Sequence, residues 1–85
     1  MKEFKGTKGK WSVRDFEKTV VENKNKIVIT ETDYPNTSIL ESEANAKLIA
    51  SAPEMFEMLK DAKAEFGEYH FMYNAIEKLL TKITD

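Results

Sequence analysis

The chain has no cysteine and a single histidine, His70, among its 85 residues. Without cysteine there can be no disulfides, no thiolate metal sites and no cysteine nucleophiles. With one histidine, a zinc site built on two or more histidines is excluded, and a Ser-His-Asp arrangement could form only around His70. We therefore expect no metal and no cofactor.

Long apolar runs are also missing. No segment approaches the ~18 apolar residues that a membrane span requires, and no basic-then-apolar leader opens the chain. The sequence thus predicts a cytoplasmic protein without membrane association. A chain of 85 residues is expected to be one domain over 1–85, because smaller pieces could not bury a core. Homo-oligomerisation would stabilise so small a domain, and nine aromatic residues and four methionines favour it.

The net charge is −2, but it is unevenly distributed. Residues 1–26 hold eight Lys and Arg against four Asp and Glu, whereas residues 27–85 hold five against eleven. The basic half fits a lysine-coated sheet edge, a rim for an anionic ligand or acidic partner, or head-to-tail self-attraction. DNA binding is not expected, since the overall charge is negative and no helix is rich in basic residues.

The strand-like part of the chain is residues 9–33. Apolar residues alternate at 11–13, and the runs 19–21 and 27–30 are rich in β-branched residues, which suit a pleated sheet. We predict a three-stranded antiparallel meander over 9–33, preceded by a flexible N-terminal arm over 1–8.

Two connections join these strands. The polar segment 22–26 contains asparagines, which tolerate the left-handed backbone of tight hairpins. The segment 14–17 contains Phe16, which is costly to leave in water unless it folds back over the sheet.

Residues 38–84 are predicted to form two or three helices packed on one face of the sheet, which makes the fold class α+β. Ser38 and Glu41 have the S-x-x-E spacing of a helix N-terminus, and Ser51 and Glu54 repeat it.

The helices are divided by Pro53 and Gly67. Pro53 suits either the first turn of a second helix or a kink in one continuous helix. Gly67 predicts a left-handed helix end and a short connection, so that the last two helices form an antiparallel hairpin. A buried stripe is predicted along Ala44, Leu48, Ala52, Met55, Leu59, Ala62 and Phe66, and a second along Phe71 or Met72, Ala75 or Ile76, Leu79, Leu80 and Ile83.

Cations near the start of the chain and an aromatic stretch near its end supply the candidate ligand-binding residues. The cations could contact phosphates, while the aromatic rings could stack on a base and the histidine could hydrogen-bond to its edge. The structural alternative is a solvated arm and aromatic rings that cover a small core. The candidate set is Lys8, Lys10, Trp11, Arg14, Tyr69, His70 and Tyr73.

Catalysis is not predicted. The segment 5–11 contains two glycines and three lysines but lacks the G-x-x-x-x-G-K-[ST] pattern of a nucleotide-binding loop. The acidic residues of the helices are expected on exposed faces, where a desolvated pair for acid–base chemistry seldom forms.

Two motifs carry a resemblance to a known family. The opening Gly6–Trp11 contains G-x-W, and residues 43–55 read EANAKLIASAPEM. Together with the terminal segment 76–84, they resemble a family of small proteins of tailed phages and prophages that has a G-x-W opening and an EANAKLIAAAPE-type helix. Lys8 stands where this family often has proline, and the terminal segment carries larger aliphatic residues.

The resemblance implies a phage accessory protein that works in the host cytoplasm, where many small non-enzymatic phage proteins counteract host defence. One implied mechanism is sequestration of a nucleotide signal by an oligomer. Another is inhibition of a host defence enzyme by direct protein binding. A structural or regulatory phage role is the third alternative.

Overall fold

The computed structural model describes residues 3–85, so that Met1 and Lys2 of the predicted arm lie outside it. A three-stranded antiparallel sheet is followed by three helices, which confirms the predicted α+β class. The elements are β1 Trp11–Val13, β2 Val20–Asn23, β3 Val28–Glu31, α1 Ile39–Ala50, α2 Ala52–Glu65 and α3 Phe71–Thr84.

The described residues form two compact units. The first comprises residues 9–53, and the second comprises residues 3–8 together with 54–85. The first unit contains the sheet, α1 and the first two residues of α2, and the second contains the rest of α2 and α3. A single domain over 1–85 and a flexible arm over 1–8 stay predictions.

Strand β2 is the centre of the sheet, between β1 and β3. Val21 lies opposite Val13 on one side and Thr30 on the other, and the register to β3 shifts between Val21 and Glu22. Val20 and Val21 are buried. The β-branched run that predicted a strand therefore supplies the core of this unit.

The hairpin between β2 and β3 is closed by the side chain of Asn23. Its Oδ1 accepts hydrogen bonds from the backbone N–H groups of Asn25 (2.9 Å) and Ile27 (3.0 Å). The left-handed residue of this turn is Lys26, with φ of 65°, and not one of the asparagines that tolerate this conformation. Asn23 stabilises the turn through its amide oxygen instead, as in an Asx turn.

The connection between β1 and β2 is held by backbone hydrogen bonds. Arg14 N–H donates to the Val20 carbonyl (2.9 Å), and Val20 N–H donates to the Glu17 carbonyl (2.9 Å). Phe16 is 99% exposed and does not fold back over the sheet. Its ring is thus left in water at the tip of this turn.

Helix α1 begins where the S-x-x-E spacing predicts. Ser38 is the N-cap, its Oγ accepting from Glu41 N–H at 3.1 Å and lying 3.2 Å from the Glu41 carboxylate. The helix packs on β1 and β2. Its buried residues are Ser42 and Ala46, whereas the predicted Ala44 and Leu48 are exposed. The predicted stripe is therefore wrong in α1, because small side chains face the sheet there.

Helices α1 and α2 are separated by Ser51 alone. Ser51 has right-handed helical angles (φ −82°, ψ −8°), and its Oγ donates to the Lys47 carbonyl at 3.0 Å. Ser51 therefore ends α1 and does not cap α2, since an N-cap requires an extended backbone. Pro53 lies in the first turn of α2, where its missing N–H breaks no bond of that helix.

The second unit buries few residues. In α3 the buried residues are Ile76, Leu80 and Thr84, while α2 has none. The other members of the predicted α3 stripe, including Phe71 and Leu79, are exposed. The predicted stripe of α3 is therefore narrower than expected.

Two further features complete this unit. The Phe4 ring lies 5.7 Å from that of Phe56, so the arm contacts α2. Gly67 follows α2, but among residues 3–85 the only glycine with positive φ is Gly9, so the left-handed helix end predicted at Gly67 is wrong. None of the helices in the described part of the chain has the length and apolar character that crossing a bilayer takes.

Candidate functional site

The connection from α2 to α3 carries a cluster of aromatic rings. We call it the aromatic connection and define it as Phe66, Tyr69, His70 and Phe71. A backbone turn shapes it, since His70 N–H donates to the Gly67 carbonyl at 2.8 Å. The turn brings His70 to the start of α3, where it is the N-cap residue.

His70 has a structural role at this position. Its backbone is extended (φ −76°, ψ 138°), and its Nδ1 accepts a hydrogen bond from Met72 N–H at 3.1 Å. An accepting Nδ1 carries no proton, so a neutral ring in this geometry has its proton on Nε2. Histidine thus replaces the usual Ser, Thr, Asp or Asn cap of a helix.

The ring of His70 stacks with two phenylalanine rings. Its centroid lies 4.6 Å from that of Phe66 at an interplanar angle of 18°, and 4.7 Å from that of Phe71 at 22°. The capping bond and the two stacking contacts hold the ring in one orientation. A base that stacked on the imidazole would compete with these two phenylalanine rings.

The outer side chains of the aromatic connection are in water. Tyr69 is 95% exposed and Phe71 is 74% exposed. Glu65 and Glu68, which lie in the same stretch, are also exposed. The connection therefore presents apolar rings bordered by negative charge.

Tyr73 lies in the first turn of α3 and is already in contact with a cation. The Lys63 ammonium lies 5.1 Å from the centre of the Tyr73 ring, within the range of a cation–π interaction. The same ammonium lies 3.8 Å from the Glu77 carboxylate. Lys63 is therefore partly neutralised beside the ring.

Arg14 belongs to an ion-pair cluster of the sheet. Its Nε donates to Glu22 Oε1 at 2.7 Å and its Nη1 to Glu17 Oε1 at 3.1 Å, while Lys26 Nζ lies 3.3 Å from Glu22 Oε2. Hydrogen bonding to Arg14, with a smaller effect of Lys26, holds the pKa of Glu22 below its usual value. Bonding to Glu22 and Glu17 raises the pKa of Arg14. A phosphate would have to displace these carboxylates to reach Arg14.

The remaining predicted site residues lie near the start of the described chain. Lys8 forms an ion pair with Glu3. Lys10 is exposed, and Trp11 is half-buried and opens β1, where it pairs with Asn23.

The predicted site residues divide between the two units. Lys10, Trp11 and Arg14 belong to the unit of residues 9–53, and Lys8, Tyr69, His70 and Tyr73 belong to the other. Within its unit, the ring of His70 contacts the rings of Phe66 and Phe71, while Tyr73 N–H donates to the His70 carbonyl at 3.0 Å.

Phe66 and Phe71 were missed as site residues, because helical periodicity assigned both to buried stripes. The sequence contains one signal that would have identified them, which is that the polar residue His70 precedes the apolar run of α3. It marks a helix start at His70 and places residues 66 and 71 on either side of the turn.

Other parts of the described surface do not form a metal site or an enclosed pocket. In residues 3–85 no group of His, Cys, Asp or Glu side chains is arranged to hold a metal ion. A shallow depression lies along α3, but a single helix face lines it and it is open to solvent; its residues are Asn74, Glu77, Lys78 and Thr81.

Comparison with known proteins gives one informative result. The family model described as Salmonella phage P22 protein Y8K6 matches residues 1–82, which is nearly the whole chain. Comparison with curated proteins gives no significant match, and comparison with solved structures gives none.

Proposed function

The chain belongs to the family of Salmonella phage P22 protein Y8K6 and is a phage accessory protein, and we propose that it acts without catalysis by binding a protein through the aromatic connection. Protein interfaces are enriched in aromatic side chains, and a few buried rings supply most of the binding energy. The proposed partner is a host defence enzyme.

One observation carries this proposal: Tyr69 and Phe71 project into water beside a ring that is fixed in place. Tyr69 is 95% exposed, Phe71 is 74% exposed, and His70 is held by its capping bond and by two stacking contacts. A cluster that is already ordered loses little conformational entropy when a partner covers it. The arrangement therefore favours a rigid aromatic anchor.

The charge around the connection indicates which protein surface would fit. Glu65 and Glu68 border the rings. A partner with an apolar cleft edged by Lys or Arg would complement both features, and the opposite charges would speed the encounter. Acidic borders oppose a phosphate-bearing ligand at the same place.

Sequestration of a nucleotide signal is less well supported. It needs cations for the phosphates and free ring faces for the bases. Arg14 forms ion pairs with two carboxylates and Lys8 with one, and the His70 ring already stacks with two phenylalanine rings. Arg14, Lys8 and His70 would each have to leave or share a present contact in order to bind such a ligand.

The test replaces Tyr69 with a photoreactive phenylalanine in phage-infected bacteria. A matched control carries the same group at Phe16, which is aromatic and 99% exposed but lies in the other unit. We expect one cross-linked protein at position 69, none at position 16, and a reduced yield when Phe71→Ala is added. Equal labelling at the two positions, or labelling that Phe71→Ala leaves unchanged, would contradict the proposal.

A second measurement separates the two mechanisms. Native mass spectrometry is applied to the protein purified from bacteria with an active nucleotide-signalling defence. We expect no bound small molecule. A discrete added mass of the size of a nucleotide would refute protein binding as the primary mechanism and restore sequestration.

A further inference from the structure

Helix α1 is turned so that its more apolar face points away from the sheet. Leu40, Ala44 and Leu48 follow one another at steps of four, which places them along one side of a helix. Leu40 is 77% exposed and Leu48 is 62% exposed. The buried Ser42 is two residues from Leu40 and hence about 200° around the helix. We call Leu40, Ala44 and Leu48 the outer stripe of α1.

We propose that the outer stripe binds the same stripe of a second copy, with the two α1 helices antiparallel across a two-fold axis at Ala44. In this arrangement Leu40 of each copy meets Leu48 of the other, because the two leucines are equally distant from Ala44 in sequence. The small side chain at the centre lets the helices approach closely, and the leucines interlock on either side of it. The surface is thus complementary to itself, as a two-fold interface requires.

The charges beside the stripe support the antiparallel direction. Glu43 and Lys47 lie on one flank of the outer stripe, one residue before and three residues after Ala44. Around a two-fold axis at Ala44, Glu43 of one copy comes beside Lys47 of the other, and this happens twice. A parallel two-fold pair would place this flank on opposite sides of the seam in the two copies, and Glu43 would then not meet Lys47.

These two side chains are available for the contact. Glu–Lys pairs at a spacing of four often form along a helix. Across residues 3–85, however, neither Glu43 nor Lys47 takes part in an ion pair within the chain. The outer stripe and the aromatic connection have no residue in common, so a substitution in one can be tested without altering the other.

Charge exchange tests the pairing. Glu43→Lys and Lys47→Glu each place like charges across the interface, and we expect each variant to dissociate at least about tenfold more readily than the unmodified protein in sedimentation equilibrium. An equimolar mixture of the two variants restores opposite charges at both contacts. We expect the mixture to dimerise as well as the unmodified protein does, with circular dichroism confirming that both variants keep their helices.

Disulfide cross-linking tests the position of the axis. The chain has no cysteine of its own, so an introduced cysteine can react only with its copy in another molecule. Ala44→Cys brings two thiols together at the axis, so we expect a disulfide-linked dimer under mild oxidation. Asn45→Cys, the neighbouring exposed residue, is the matched control and should react much more slowly. The proposal is overturned by a monomeric mass at all micromolar concentrations, by equal rates for the two cysteine variants, or by a mixture that stays monomeric. A monomer whose Leu48→Lys variant loses a different partner would assign the stripe to that partner instead.

Discussion

The hydroxyl of Thr32 lies 2.7 Å from the carbonyl oxygen of Ser42, and so joins the residue after β3 to the middle of α1. The same hydroxyl lies 2.8 Å from the carbonyl oxygen of Thr19, next to β2. Thr32 is only 5% exposed. One buried side chain thus holds the helix against the sheet, with a single proton to share between two carbonyl acceptors.

Replacing Thr32 with valine keeps the shape of the side chain and removes the hydroxyl. We expect Thr32→Val to lower the free energy of unfolding by roughly 1–3 kcal/mol, because the Ser42 carbonyl loses this bond in a buried position. Urea unfolding measures the effect. Thr30→Val is the control, since the Thr30 hydroxyl lies 3.5 Å from its acceptor, at the limit of hydrogen bonding. Equal losses in the two variants would mean that the Thr32 hydroxyl has no special role.

The hydroxyl of Ser42 itself is expected to destabilise the fold. Ser42 is fully buried, and its Oγ has no hydrogen-bond partner. We expect Ser42→Ala to raise the free energy of unfolding by about 1 kcal/mol, since an unsatisfied polar group is removed and alanine favours the helix. Ser51→Ala, which removes a hydroxyl bonded to the Lys47 carbonyl, should give no such gain. A loss of stability in Ser42→Ala would contradict this reading of the buried hydroxyl.

Glu22 is expected to make the stability of the protein depend on acid pH. Its pKa is lower in the folded protein than its usual value, first because Arg14 donates a hydrogen bond to it and then because Lys26 lies close. Its stabilising contribution is therefore present above the ordinary glutamate pKa of about 4.3 and is lost as the pH falls toward the lower folded value.

Thermal unfolding of the protein and of its Glu22→Gln variant over a pH series measures this contribution. At neutral pH the variant should melt at a lower temperature, because the amide carries no charge for Arg14 and Lys26. The two melting temperatures should converge as the pH falls, since the carboxyl group of the unmodified protein then becomes neutral as well. A difference that stays constant over the whole series would show that the Glu22 charge does not contribute.

His70 joins a cap to an aromatic contact, and two substitutions separate these roles. Asparagine caps helices well, so His70→Asn should keep the melting temperature while it removes the stacked ring. His70→Ala should lose about 0.5–2 kcal/mol of unfolding free energy together with the ring. We expect both variants to reduce the photo-cross-linking proposed for position 69. Full cross-linking by a stable His70→Asn variant would show that the stacked ring does not order the connection.

The sequence predicts the elements of this fold well because local patterns determine them. The β-branched runs around Val20 and Val28 mark β2 and β3, and the spacing of Ser38 and Glu41 marks the start of α1. These signals act within a few residues and depend little on tertiary packing. The family resemblance likewise rests on a continuous block of sequence, and the match to the phage family covers it.

The orientation of α1 could not be predicted in the same way. Its periodicity contains two stripes, one with Leu48 and one with Ser42 and Ala46, and hydrophobicity selects the first. The sheet contacts the second, where small side chains let the helix approach and where Thr32 reaches the Ser42 carbonyl. The stripe that faces the sheet is determined by the contact between Thr32 and Ser42, which are ten residues apart. No local sequence pattern predicts that contact.

The candidate site was predicted only in part for a similar reason. The aromatic stretch at 69–73 was identified, but the partners of each side chain depend on the turn at Gly67 and on ion pairs made across strands. The sequence alone gives no ion-pair partner for Arg14. Glu22 comes beside it only because β1 pairs with β2.

The two compact units differ in how they relate to the direction of protein synthesis. Residues 9–53 are continuous, so all of them leave the ribosome before residues 54–85 do. Residues 3–8 belong with 54–85, and Phe4 must leave the ribosome long before Phe56 exists to receive it. The sheet and α1 can thus fold before the contact between Phe4 and Phe56 forms.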